Sequence, residues 1–388
     1  MRIVSVVGTR PQIIKAAALQ PLLRERYEAV LVDTGQHWDD AMAGSFFAEL
    51  GLARPDHSLD AGGGSHAEQT AAMLVGLEPI LRRESPAAVV VFGDTNSTLA
   101  AALTATKLGL PVAHVEAGLR SFDRRMPEEL NRIVVDHLAT WLFAPTPTAV
   151  ENLRAEGLAR GVVLVGDVMQ DLASRISSSV RDPAPLRPIS RSLQAFAPGV
   201  SLTPGRYLFA TIHRAENREP AAIVAWSALL GHVARDDRPV ILALHPGTRR
   251  ALEVTGASMG PHVVIADPLG YRDSMALQLH AAAVLTDSGG VQREAAWLGT
   301  PCLVLRDTTE WLEAVADSGG KMRVTGLDMA RATAFLARWA PAERSAALAA
   351  QRSRELDLRP AGAAAAIARA LETRPPAERS AIAGAGGS

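Results

Sequence analysis

The sequence contains a single cysteine, Cys302, and little that would suit a secreted or membrane protein. One cysteine cannot form an internal disulfide, so the chain suits a reducing compartment. No run of about 18 consecutive apolar residues is present that could span a bilayer. The first residues, MRIVSVVG, lack the basic start, long apolar stretch and cleavage site of a secretion signal. These absences predict a cytoplasmic protein.

Lysine is also scarce, because Lys15, Lys107 and Lys321 are the only lysines among 40 lysine and arginine residues. The arginines are spread along the whole chain, and the formal net charge is −1. Nothing in this balance favours binding to nucleic acid or to an anionic membrane. At 388 residues, with 48% hydrophobic and 21% charged residues, the chain is typical of a folded protein with two domains.

Short apolar runs alternate with amphipathic stretches from the first residue onward. This alternation predicts βαβ units and a parallel sheet, and continuously apolar strands indicate burial on both faces. The predicted strands of this region are Arg2–Val7, Ala29–Val32, Ala88–Phe92, Val112–Val115, Trp141–Ala144 and Val162–Val165. The predicted helices are Gln12–Arg24, Ala67–Arg83 and Thr98–Leu108.

A cluster of prolines between Arg181 and Gly205 interrupts the alternation, and a second βα series follows it. We therefore predict an α/β fold of two doubly wound, Rossmann-like domains that face a cleft. The predicted segments are a first domain over residues 1–180, a linker over 181–205, a second domain over 206–372 and a disordered tail over 373–388. The strands of the second series are Tyr207–Thr211, Val240–Leu244, Val263–Ala266, Ala283–Thr286 and Cys302–Leu305.

The first turn after a strand reads Gly8-Thr9-Arg10-Pro11 and leads into a helix that carries Lys15. Ligands of such sheets bind at the carboxyl ends of the strands. The turn is not a G-x-G-x-x-G fingerprint, so we expect no NAD, and no His/Cys spacing predicts a metal site. Arg10 and Lys15 instead suit a phosphate or a sugar at a helix N-terminus. Taken alone, they would more often be a solvated arginine and a lysine on the helix surface.

Three carboxylates of the first domain follow strands or begin a helix. Asp94 lies in FGDTNST, Glu116 in HVEAGLR and Glu128 in MPEELNR. Each has an ordinary alternative, since Asp94 could cap a helix, while Glu128 and Glu129 could be helix-start charges. Three such groups within one domain nevertheless favour acid–base chemistry.

In the second domain, His213 follows a strand in TIHRAEN. The segment DSGGVQRE contains Ser288, Gly289, Gly290 and Glu294 and connects another strand to a helix. Free N–H groups and the positive end of a helix dipole suit a diphosphate there. The alternatives are a solvated loop for His213 and a tight turn that needs glycine at the Gly-Gly pair.

These segments together resemble the non-hydrolysing UDP-N-acetylglucosamine 2-epimerases. The matching motifs are VGTRPQIIK, TGQH, FGDTNSTLA, HVEAGLRS, MPEELNR, TIHRAEN, LTDSGGVQREA and LRDTTE. The resemblance implies the two-domain fold shared with GT-B glycosyltransferases, a homodimer, and reversible conversion of UDP-GlcNAc to UDP-ManNAc without a cofactor. It implies catalytic roles for Asp94, Glu116, Glu128 and His213. It implies nucleotide-sugar contacts for Arg10, Lys15, His213, Ser288, Gly289, Gly290 and Glu294, with Glu294 on the ribose hydroxyls.

The chain departs from the family pattern at several positions. Trp311 and Leu312 stand where many members have Arg-Pro, and Trp311 resembles relatives that act on UDP-2,3-diacetamido-2,3-dideoxyglucuronate. Leu269 and Ser274 stand where several relatives carry a glutamine and an aromatic residue near the nucleotide. A Gln-His-x-x-Gln stretch that binds activating UDP-GlcNAc in some members reads QHWDD from Gln36.

Three other functions remain open at this point. A hydrolysing epimerase would release UDP and free ManNAc. A GT-B glycosyltransferase would use the Ser288–Glu294 segment equally well but would not need the three carboxylates. A nucleotide-sugar sensor would bind UDP without exchanging the C2 proton. The sequence favours UDP-GlcNAc epimerisation, with the glucuronate as the alternative substrate.

Overall fold

The computed structural model describes residues 1–36, 46–194, 202–214, 216–267 and 269–373. The chain divides into two compact units. The first consists of Met1–Leu172 and the C-terminal stretch from Ala361, and the second is Ala173–Pro360. The QHWDD stretch after Gln36 and the predicted tail after Thr373 lie outside the described residues.

The first unit contains a parallel sheet in the order β3-β2-β1-β4-β5-β6-β7. Its strands are β1 Arg2–Val7, β2 Glu28–Asp33, β3 His57–Ser58, β4 Ala88–Phe92, β5 Val112–Val115, β6 Trp141–Ala144 and β7 Val162–Leu164. Its helices are α1 Arg10–Arg26, α2 His66–Glu84, α3 Asn96–Lys107, α4 Pro127–Leu138 and α5 Pro147–Ala155, followed by α6 Val168–Val180, which continues into the second unit.

The second unit contains a parallel sheet in the order β10-β9-β8-β11-β12-β13. Its strands are β8 Leu208–Ile212, β9 Val240–Leu244, β10 Val263–Ala266, β11 Ala283–Thr286, β12 Cys302–Val304 and β13 Met322–Val324. Its helices are α7 Leu186–Gln194, α8 Pro220–Val233, α9 Pro246–Thr255, α10 Tyr271–His280, α11 Gly289–Trp297, α12 Leu312–Asp317, α13 Met329–Trp339 and α14 Ser345–Glu355. The last helix, α15 Ala363–Ala370, belongs to the first unit.

The side chains on both faces of the central strands are buried, as the continuous apolar runs predict. Strands β4 and β11 have buried side chains at every position. The prediction of an α/β fold with two Rossmann-like parallel sheets is therefore confirmed. Among the described residues, no helix combines the length and apolar character that crossing a membrane would require.

Two short strands were not predicted from the sequence, and one helix lies in a segment that was predicted to be a linker. Strand β3 is only two residues long and polar, and β13 contains the charged Arg323, so neither forms an apolar run. Helix α7 lies inside the predicted linker, where Leu186, Ile189 and Leu193 are buried at helical spacing. The prolines of that region had indicated irregular chain.

The strand order of each sheet reverses at one point, and this point determines where a ligand can bind. The reversal lies between β1 and β4 in the first unit and between β8 and β11 in the second. In open parallel sheets, ligands bind outside the carboxyl ends of the strands at this position. The segments that begin at Gly8, Gly93, His213 and Asp287 follow these four strands.

Candidate active site

The buried side chain of Gln12 joins the carboxyl ends of β1 and β4. Its oxygen accepts hydrogen bonds from the N–H groups of Gly8, at 2.9 Å, and Thr9, at 3.1 Å. Its nitrogen donates to the carbonyl of Phe92 at 2.8 Å. The sequence analysis missed this residue, because a glutamine in the first helical turn carries no signal of its own. Gln12 fixes the turn that carries Arg10, whose guanidinium lies 4.6 Å from the centre of the Phe46 ring.

Lys15 and Glu116 form an ion pair beside the end of β4. Their side chains are 9% and 11% exposed, respectively. Gly93 packs against this pair, because a Cβ at that position would lie 3.1 Å from Lys15 Nζ and 3.4 Å from Glu116 Oε2. Its φ of +63° also favours glycine. The structure thus brings together two predicted site residues that are far apart in sequence.

Glu116 has a strained backbone. Its φ is +79°, in the left-handed region that residues other than glycine rarely adopt. Such a conformation costs about 1–3 kcal/mol and persists only where the surroundings impose it. The N–H groups of Glu116 and Ala117 both donate to the carbonyl of Phe143 at 3.1 Å, which holds the turn against β6. Strain at a carboxylate in a nearly buried ion pair points to a functional constraint.

Asp94 forms an ion pair with the buried guanidinium of Arg132 and remains 32% exposed. The amide of Asn131 donates to the carbonyl of Asp94 at 2.9 Å. The alternative role of Asp94 as a helix cap is wrong, because the N-cap of α3 is Thr95. Asp94 is therefore a carboxylate with a cation beside it and access to solvent.

Glu128 and Glu129 have different environments, although both lie in the first turn of α4 after Pro127. Glu129 is buried and accepts hydrogen bonds from the N–H groups of Ser121 and Phe122, both at 2.9 Å. Its carboxylate also lies 3.0 Å from Arg132. Glu128 is only half-buried. The sequence treats the two residues alike, whereas the structure buries Glu129 in the network of hydrogen bonds that holds the loop after β5 and leaves Glu128 half-buried.

In the second unit, the buried carboxylate of Asp287 holds the loop that carries His213. It accepts hydrogen bonds from the N–H groups of His213, at 3.0 Å, and Arg214, at 2.9 Å, and from the amide of Asn217 at 2.9 Å. The imidazole Nδ1 of His213 lies 3.3 Å from the same carboxylate. Burial lowers the pKa of His213, although the charge of Asp287 opposes this shift. A lowered pKa favours a neutral imidazole near neutral pH.

The N-terminus of α11 lies beside Glu310 and Trp311. Ser288 is the N-cap of this helix, and its hydroxyl accepts a hydrogen bond from Val291. A Cβ on Gly289 would lie 2.7 Å from Glu310 Oε1 and 3.0 Å from Trp311 Nε1, so a larger residue here would displace the Glu310 or Trp311 side chain. Gly290 follows in the first turn of the helix.

Two further side chains of this unit bear on the predicted nucleotide contacts. Glu294 is buried on α11 and accepts a hydrogen bond of 2.6 Å from Gln278. The guanidinium of Arg293 lies 3.8 Å from the centre of the Trp311 ring. Trp311 therefore replaces the family's arginine with an indole that itself packs against an arginine. Among the residues that the structure describes, no three His, Cys, Asp or Glu side chains are grouped so as to hold a metal ion.

Comparison with known proteins places the chain in a family. The family model described as "UDP-N-acetylglucosamine 2-epimerase" matches residues 22–371. The chain is 42% identical over 321 residues to the UDP-2,3-diacetamido-2,3-dideoxy-D-glucuronate 2-epimerase of Pseudomonas aeruginosa, covering 81% of this chain and 86% of that protein. The chain belongs to the UDP-N-acetylglucosamine 2-epimerase family.

Two further relatives agree with this membership. A UDP-N-acetylglucosamine 2-epimerase homolog of Methanococcus maripaludis is 41% identical, over 82% of this chain and 87% of its own length. The crystal structure of the Methanocaldococcus jannaschii UDP-GlcNAc 2-epimerase, in complex with UDP-GlcNAc and UDP, superposes with a TM-score of 0.79 at 33% identity. That match covers 96% of this chain and 99% of the other. The predicted family and its class of enzyme, an isomerase, are confirmed.

The structure brings Lys15 into contact with Glu116, and Asp287 into contact with His213. The sequence analysis assigned no site role to several residues that hold the predicted site residues and their loops, because a motif gives the residues but not the hydrogen bonds and ion pairs that they form. They are Gln12, Glu129, Arg132, Gln278 and Asp287.

Proposed function

We propose that this protein inverts carbon 2 of UDP-GlcNAc and so interconverts UDP-GlcNAc and UDP-ManNAc. The observation that carries the proposal is the strained, ion-paired Glu116. It follows β5, the strand next to β4, so that Glu116 and Asp94 both lie at the carboxyl ends of neighbouring strands of the first sheet. Two carboxylates with different environments suit a reaction that removes a proton from one face of a carbon and returns it to the other. Asp94, Glu116 and Glu128 are the proposed acid–base groups.

Removal of the C2 proton depends on departure of UDP from C1. The C2 proton is not next to a carbonyl, so its direct removal is difficult. When the C1–O bond breaks, its electron pair leaves with UDP, and positive charge at C1 acidifies the C2–H bond. A carboxylate takes this proton, a C1=C2 double bond forms, and the products are UDP and a 2-acetamidoglucal. Return of a proton to the opposite face of C2, with re-formation of the C1–O bond, gives the epimer.

The second unit contains groups that suit the departing diphosphate. The first N–H groups of α11, at Gly289 and Gly290 after the Ser288 cap, are donors at the positive end of the helix dipole. We assign the diphosphate to them, the ribose hydroxyls to Glu294 and a further contact to His213. In the first unit, we assign sugar or phosphate contacts to Arg10 and Lys15.

An NMR time course with UDP-GlcNAc in deuterated buffer tests this function. We expect UDP-ManNAc to appear with deuterium at C2, because the proton exchanges with solvent between removal and return. We expect the same rate after EDTA treatment and removal of bound nucleotide, because the proposed steps need neither metal nor NAD.

Each other function gives a distinct spectrum in the same experiment. Free ManNAc with UDP would indicate a hydrolysing epimerase. Transfer of the sugar, without C2 exchange, to an acceptor added to the same sample would indicate a glycosyltransferase. Binding without exchange would indicate a sensor. Activity that returned only on addition of a divalent ion or NAD would contradict the mechanism.

A second candidate substrate is UDP-2,3-diacetamido-2,3-dideoxyglucuronate, which the 42% identical relative is named for. Trp311 favours it by resemblance, whereas its C6 carboxylate calls for a cation that an indole does not supply. Since the indole of Trp311 supplies no charge for that carboxylate, we propose UDP-GlcNAc as the preferred substrate. Leu269 and Ser274 are further positions where the chain differs from several relatives.

Competition between the two UDP-sugars, compared as kcat/KM, tests the choice of substrate. We expect UDP-GlcNAc to be preferred by about tenfold or more. Trp311→Arg should raise the relative kcat/KM for the uronate, because it adds a cation beside Gly289. Leu312→Arg adds the same charge at an exposed neighbouring position and should leave the ratio unchanged. A preference of the unaltered protein for the uronate would overturn the substrate and leave the elimination chemistry in place.

We also propose a homodimer, as the family resemblance implies. Val75 on α2 and Leu130 and Val134 on α4 are exposed apolar side chains, and both helices pack against α3. A second copy of the chain could cover them. Sedimentation equilibrium that gave only the monomer mass would contradict this proposal. The cytoplasmic location remains a prediction from the sequence.

A further inference from the structure

A fully buried histidine lies directly behind the two turns that carry Asp94 and Glu116. His114 belongs to β5 and has no exposed surface. Its Nδ1 lies 2.6 Å from Asp136 Oδ1, and its Nε2 lies 2.8 Å from the carbonyl oxygen of Gly93. A carbonyl oxygen and an ionised carboxylate can only accept hydrogen bonds, so both ring nitrogens must donate.

The surroundings of Asp136 support its ionised form. Its Oδ2 accepts a hydrogen bond of 3.1 Å from the N–H of Gly118 and lies 2.8 Å from Arg120 Nη1. Arg120 also forms two hydrogen bonds of 2.7 Å with Glu156. With a cationic His114, this group contains two positive and two negative charges.

The hydrogen bond between His114 and the Gly93 carbonyl holds the turn of Asp94, and the hydrogen bond from the Gly118 N–H to Asp136 holds the turn of Glu116. The Gly93 carbonyl belongs to the residue before Asp94, and Gly93 itself packs against Lys15 and Glu116. The Gly118 N–H belongs to the turn that begins with the strained Glu116. Gly118 has no room for a side chain, since a Cβ would lie 2.3 Å from the carbonyl oxygen of Ala149.

We propose that His114 is a positioning residue, whose doubly protonated ring holds the turns of Asp94 and Glu116 through the Gly93 carbonyl and Asp136. It does not touch the substrate and acts through these two partners. The inference rests on the proposed function for its catalytic consequence. The protonation state of the ring is independent of that function.

The first test is a kinetic comparison of His114→Gln with the unaltered protein. Glutamine is neutral and cannot donate to both partners in the same geometry. We expect kcat to fall by about 10²-fold, the cost of a small displacement of catalytic groups. We expect KM to change much less than kcat, because the contacts assigned to the helix N-terminus, Glu294 and His213 lie in the second unit and only those of Arg10 and Lys15 lie in the first. His232→Gln, at an exposed position on α8, is the matched control and should retain the original kcat.

Asp136→Asn and the double variant show whether the pair acts as a unit. We expect the single variant to lower kcat similarly and the double variant to lower it no further than the more severe single variant. Wild-type kcat in His114→Gln, or losses that multiply in the double variant, would overturn the proposal. So would a KM that rises as much as kcat falls.

The second test does not depend on activity. The full-length protein, labelled with ¹⁵N-histidine, is examined by two-bond ¹H–¹⁵N correlation at a pH where free imidazole is neutral. We expect one histidine to show two similar nitrogen shifts, as an imidazolium does, and this signal to be absent from His114→Gln. If every histidine shows the separated shifts of a neutral tautomer, the proposal is wrong. If the imidazolium is present but the unaltered protein exchanges no C2 proton, the proposed function fails instead.

Discussion

Glu116→Gln and Asp94→Asn are each expected to lower turnover by about 10²–10⁴-fold, the usual cost of losing a general acid or base. Both replacements keep nearly the same shape and remove the ability to carry a proton. Glu116→Gln also removes the negative partner of Lys15, and Asp94→Asn removes a negative partner of Arg132. Turnover is measured by C2 deuterium incorporation with saturating UDP-GlcNAc.

A matched control separates the loss of chemistry from the loss of a salt bridge. Glu78 on α2 forms an exposed ion pair with Arg82, and Glu78→Gln removes the same kind of charge away from the proposed site. Exposed pairs of this type contribute about 0.2–1 kcal/mol, so this variant should retain both turnover and stability. Wild-type turnover in Glu116→Gln, with the fold intact by circular dichroism, would remove Glu116 from the mechanism.

Replacement by glutamine is expected to lower turnover at Glu128 and to lower stability at its neighbour Glu129. Glu128→Gln should lower turnover by about 10²–10⁴-fold with little change in stability, because its half-buried side chain is a proposed acid–base group. Glu129→Gln should lower the free energy of unfolding by about 1–3 kcal/mol, because an amide nitrogen would face buried donors. Those donors are the N–H groups of Ser121 and Phe122 and the guanidinium of Arg132.

Denaturant unfolding and turnover measured on both variants test this contrast. Each variant serves as the control for the other, because the two residues are adjacent in the first turn of the same helix. A Glu128→Gln variant with unchanged turnover would return Glu128 to the role of a helix-start charge. A Glu129→Gln variant with unchanged stability would contradict the structural role derived from its hydrogen bonds.

The sequence by itself determined the class of fold and the positions where chemistry could lie. Strands such as β4, β5 and β11 have the predicted bounds, because a run of apolar residues that ends in small or polar residues specifies a buried strand locally. The carboxyl end of each strand was then known, and with it the place of Asp94 and Glu116. Strand β3 was missed because a two-residue polar strand is formed only by pairing with β2.

Only the tertiary structure decided which of these groups meet. Lys15 and Glu116 are brought together by the placement of β1, β4 and β5 as neighbours, which no local pattern contains. The same holds for Asp287 beside His213, for the pairing of His114 with Asp136, and for Arg293 on Trp311. Local sequence specifies what each segment becomes, whereas ion pairs and hydrogen bonds between distant segments depend on strand order and packing. For this reason the structure, and not the sequence, separated the buried, hydrogen-bonded Glu129 from its neighbour Glu128.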